Sequence, residues 1–85
     1  MSFFSENILP GKTGQTFCIG IKSQEEFERV FERLKKVNGV ETVLFNDEAY
    51  PREITILTNM PVAVKEVQDV VKGMGFHAVT KTIFG

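Results

Sequence analysis

The feature that most constrains the fold is a change of hydrophobic period at Ser23. Before it, Phe17, Ile19 and Ile21 alternate with Thr16, Cys18 and Gly20, the two-residue repeat of a strand with one buried face. After it, Phe27, Val30, Phe31, Leu34 and Val37 recur at steps of three and four, the stripe of an amphipathic helix. Ser23 and Glu26 stand at the junction with S-x-x-E spacing. That spacing predicts a capping box, in which each side chain satisfies a backbone N–H that helix geometry leaves free. Lys35 and Lys36 suit the negative end of the helix dipole, and Gly39 suits a left-handed stop. A strand over Thr16 to Lys22 therefore runs straight into a helix.

The rest of the chain repeats this alternation. Val40 to Asn46 reads as a strand burying Val43 and Phe45, and the polar NDEAYPRE turn leads to a strand over Ile54 to Thr58 burying Ile54 and Ile56. Asn59 is placed to cap a second helix with Pro61 in its first turn. Val64, Val67, Val70, Val71 and Met74 form its apolar stripe, and Gly73 and Gly75 end it. So many β-branched residues lower helix propensity, so this helix depends on packing. Phe76 to Thr82 reads as a last strand. The order strand, helix, strand, strand, helix, strand predicts an α+β fold. With right-handed crossovers it closes as a four-stranded antiparallel sheet, order 4-1-3-2, with both helices on one face. Residues 1–15, with Phe3, Phe4, Ile8, Leu9 and a PGKTG turn, read as a flexible N-terminal arm ahead of a domain over 16–85. The GKTG stretch lacks the full phosphate-loop pattern and reads as a turn.

Eighty-five residues suffice for one small domain. The net charge of −1 builds in no attraction to nucleic acid or anionic membrane. No apolar run approaches the roughly 18 residues of a membrane span, so membrane insertion is not expected. The start, MSFFSENILPGKTG, lacks the basic and apolar regions of a secretory signal. With Cys18 as the one cysteine, a cytoplasmic location is expected.

From Phe17 to Val79 the chain resembles the heavy-metal-associated domain, the module of copper chaperones and metal-pumping ATPases. The resemblance rests on a first strand ending IKS, on NGVETVLFND after the first helix, on VVKGMGFHAV near the end, and on the Glu26-to-Gly39 spacing. It implies a ferredoxin-like βαββαβ sandwich and a role in metal ion transport. In that family the loop after the first strand carries C-x-x-C, two thiolates that grip Cu(I) or Zn(II). Here the two ligand positions are Ser23 and Glu26. A serine hydroxyl is a poor ligand for a soft metal, and a lone carboxylate is a hard one. The expectation is a non-catalytic protein-interaction or accessory module without a cofactor. The alternative is a metal-binding transport protein with an atypical, weak Cu(I) or Zn(II) site, for which Cys18 and His77 are, apart from the methionines, the remaining residues of soft-ligand character. Met74 is expected in the loop beside Ser23 as a core residue.

The strand alternation places Cys18, Leu44, Thr55, Leu57, His77 and Val79 on the sheet face away from the helices. That face lacks the aromatics on which RNA-recognition modules stack bases, and the one histidine has no nucleophile or paired acid beside it. Neither RNA binding nor enzymatic activity is expected. Cys18, Leu44, Leu57 and Val79 are expected to form a contiguous apolar patch. Either a protein partner or a second copy covers it, or the N-terminal arm folds back over it.

Overall fold

A computed structural model describes residues 7–11, 13–49 and 52–81. The elements are β1 (Asn7–Ile8), β2 (Gln15–Ile19), α1 (Gln24–Lys35), β3 (Val40–Asn46), β4 (Glu53–Thr58), β5 (Val62–Ala63), α2 (Val64–Gly73) and β6 (Ala78–Thr80). The described residues form an α+β fold, with two helices, a four-stranded antiparallel sheet in the order β3-β4-β2-β6, and a two-stranded ribbon of β1 and β5.

The expected alternation sets the core. Phe17, Ile19 and Ile21 are all buried, as are Val43, Ile54 and Ile56. They pack in one cluster with Phe27, Val30 and Leu34 of α1 and Val64, Val67 and Val71 of α2. Phe27 stacks on Phe45 of β3 at 4.3 Å between ring centroids, which ties the start of α1 to the edge of the sheet. Burying such side chains supplies the main driving force, roughly 1.5–3 kcal/mol each before chain entropy is counted.

Gly39 follows α1 with φ of +100°, and a Cβ there would lie 2.6 Å from Met60 Cγ and 2.7 Å from Val62 Cγ2. Both the conformation and the close approach require glycine. Met60 therefore sits at the C-terminal end of α1, away from Ser23.

Three expectations are corrected. The flexible arm does not extend to residue 15: Asn7–Ile8 pairs with Val62–Ala63, Ile8 is 1% exposed within the core, and Gln15 already belongs to β2. Ile8 thus cannot fold over the open sheet face, Leu9 is exposed at 61%, and Phe3 and Phe4 lie outside the described residues. Asn59 does not cap α2. Val62 and Ala63 stay extended to pair with β1, so the helix starts at Val64 with Ala63 as an N-cap that makes no side-chain hydrogen bond. The last strand is shorter than Phe76 to Thr82, spanning Ala78–Thr80, while Thr82 lies outside the described residues.

Candidate interaction face and the Ser23 loop

Ser23 is the N-cap of α1, in extended conformation, and its Oγ accepts from Glu26 N at 3.2 Å. Glu26 Oε1 accepts from Lys22 N at 2.8 Å. The box is thus shifted by one residue from the usual arrangement, since the glutamate reaches the amide before the cap residue. Both first-turn acids, Glu25 and Glu26, also lie at the positive end of the helix dipole. The preceding loop is held from the sheet: Arg52 Nη1 donates to Ile21 O at 3.0 Å, and Ile19 N donates to Arg52 O at 2.9 Å.

These residues do not fit a soft metal ion. The hydroxyl of Ser23 and the carboxylate of Glu26 are already engaged by backbone amides. Among the described residues no three His, Cys, Asp or Glu side chains converge. Cys18 is half-buried and lies opposite Val79 on β6 and Glu53 on β4, not opposite His77. His77 is exposed just before β6. Met74 and Phe76 line a groove against Glu25, Glu28 and Arg29 of α1, and both side chains pack partly buried on the core.

The face of the sheet away from the helices follows from the register. Val79, Cys18, Glu53 and Asn46 form one cross-strand row; Thr16, Thr55 and Leu44 form the next, with Lys81 following Thr80 at its end; Leu57 and Thr42 form a third. Leu44 is 52% exposed and Val79 62%. The expected patch is not contiguous. Thr16 and Thr55 share a hydroxyl hydrogen bond of 2.9 Å across the centre. Lys81 Nζ donates to Glu53 Oε2 at 2.6 Å, between the Cys18–Val79 pair and the leucines. Glu53 holds the Lys81 ammonium above the ordinary lysine range, through the hydrogen bond first and its charge second. Leu57 is half-buried because the chain passes over it at Gly14. That residue has φ of +61°, and a Cβ there would meet Leu57 Cδ2 at 2.6 Å and run into Ile56 O.

Sequence reasoning missed the two polar pairs across this face. Each joins residues far apart in the chain, 39 positions for Thr16–Thr55 and 28 for Glu53–Lys81, so only the strand register reveals them. The face is therefore an amphipathic surface with exposed leucine and valine at its two margins.

No family model, curated protein or solved structure matches this chain. Among the described residues no helix is long and apolar enough to cross a membrane.

Proposed function

We propose that this protein is a non-catalytic interaction module of the heavy-metal-associated type, ferredoxin-like in arrangement, whose metal grip has been replaced by a helix cap. The observation that carries this reading is the engagement of Ser23 Oγ with Glu26 N and of Glu26 Oε1 with Lys22 N. A loop closed on its own amides has no free donor set for Cu(I) or Zn(II) and stiffens the start of α1 instead. Its binding surface is the open sheet face, with Leu44 and Val79 exposed beside the Thr16–Thr55 and Glu53–Lys81 pairs. Apolar margins around satisfied polar groups suit protein contact, in which aliphatic anchors are desolvated and the polar groups set register. The lone half-buried Cys18 suits a cytoplasmic setting.

The test compares proteins retained by the immobilised chain with those retained by Val79→Lys and by Glu28→Lys, a change on exposed α1 surface. A charge at position 79 should abolish retention of a specific partner that Glu28→Lys still retains. Equal retention by both variants would refute a role for the open face.

A further inference from the structure

We infer that residues 60–63 are a two-state switch worked by the N-terminal strand: extended while β1 is docked, and the first turn of α2 once β1 is released. The switch lies apart from the Ser23 loop and the open sheet face.

This segment carries two patterns at once. Asn59 and Pro61 mark a helix start. Met60, Ala63, Val64, Val67 and Val71 recur at steps of three and four. A helix begun after Asn59 therefore adds Met60 and Ala63 to the buried stripe of α2 and moves Val62 off it. The same continuation gives the N–H groups of Val64, Lys65 and Glu66 their helical acceptors on Met60, Pro61 and Val62. The structure instead holds Val62 and Ala63 extended against Ile8 and Asn7. Val62 is then 3% exposed while Met60 is left 42% exposed, and α2 begins at an alanine that offers no cap. Folded sequences keep local and global preferences in agreement except at functional or strained sites. Here a distant contact overrules the local pattern.

The contact that decides between the two states is small. β1 is two residues long and pairs with β5 in a ribbon apart from the four-stranded sheet. Ile8 is buried, whereas Asn7 before it and Leu9 after it are exposed. The chain is pinned again at Gly14, where a Cβ would run into Ile56 O, so β1 can leave without moving β2. At the other end Asn59 N donates to Gly39 O at 2.9 Å, a bond that precedes the helix start and is kept in both states. Between these anchors, release exchanges the Ile8–Val62 contact and the ribbon for burial of Met60 and Ala63 and an added helical turn. A short segment held by one buried side chain opens at the low end of a protein's range of opening energies. Whatever captures β1 thus lengthens α2, and population of the longer helix in turn releases β1.

Backbone chemical shifts and amide exchange of the full chain test it. Ile8→Ser releases β1, so the Cα shifts of Pro61, Val62 and Ala63 should move from strand to helical values while those of β3 and β4 stay. Ile8→Val, which still fills the slot, should leave them at strand values. Pro61→Ala changes an exposed position and leaves the core whole. It lifts the restriction that proline places on Met60, so it reads the switch even where loss of Ile8 unfolds the chain. It should move residues 60–63 toward helical shifts and speed amide exchange in the β1–β5 ribbon at least about threefold, with β3–β4 exchange unchanged. Shifts at 61–63 that stay at strand values in the folded variants, or that turn to random-coil values as β1 leaves, would overturn the inference.

Discussion

Thr58 gives the prediction whose sign is least intuitive. It ends β4 on the side that faces the core, is 2% exposed, and its Oγ1 has no hydrogen-bond partner among the described residues. Burying a hydroxyl without a partner costs about 1–3 kcal/mol in protein mutational data. Thr58→Val keeps the shape and the strand preference, removes that cost and adds a buried methyl, so it should stabilise the domain by about 1–2 kcal/mol. For a domain of this size the midpoint rises by about 4–8 °C per kcal/mol. Thr58→Ser separates hydroxyl from methyl: it retains the unpaired group, loses a buried methyl and should cost about 1 kcal/mol. Urea unfolding followed by circular dichroism measures both variants, with an unchanged m-value certifying that only stability has moved. If Thr58→Val is destabilised, the hydroxyl has a partner in solution, such as a buried water, and the reasoning fails.

Three further outcomes follow from the same structure. Ser23→Ala should lower stability by about 0.5–2 kcal/mol through loss of the bond to Glu26 N, read from the same unfolding curves; no change would remove the cap from the account. Gly14→Ala should cost more than about 1 kcal/mol, because a Cβ would meet the Ile56 carbonyl oxygen at a positive φ; a tolerated alanine would show that the chain does not cross Leu57 closely. The Glu53–Lys81 pair should show a pH signature. Because the folded state raises the Lys81 pKa above its ordinary 10.5, the pair contributes fully below that value. Its contribution is lost as pH rises through the folded pKa, so unfolding midpoints of wild type and Glu53→Gln should converge in that alkaline window. Convergence near neutrality would refute the pairing.

The parts of this fold legible in the sequence are those with a sustained local period. Phe17, Ile19 and Ile21, the α1 stripe and Val43 through Ile56 each repeat often enough to fix which face is buried. The Ser23–Glu26 spacing was equally readable because a capping box is a local device, although the one-residue shift of its second bond was not. The β1–β5 ribbon has no such signal. Each strand is two residues long, too short for alternation, and Ile8 finds Val62 from the other end of the sequence. That distant pairing overrides the Asn59–Pro61 helix-start pattern, holding Val62 and Ala63 extended. The open face was readable as a set of residues but not as a surface. Its composition follows from strand parity, whereas the Glu53–Lys81 bridge that divides it depends on how strands from both ends of the chain align.

The central claim, that a helix cap stands where a metal grip would be, is tested most directly by competition titration of the reduced protein with Cu(I) and with Zn(II) against a chelator of known affinity. The wild-type chain should take up no equivalent more tightly than about micromolar, a threshold of roughly −8 kcal/mol. The Ser23→Cys/Glu26→Cys variant should bind one equivalent while losing cap stability in the metal-free form. One equivalent bound tightly by the wild type, and lost on Cys18→Ala, would contradict the claim and move the metal site to the open sheet face.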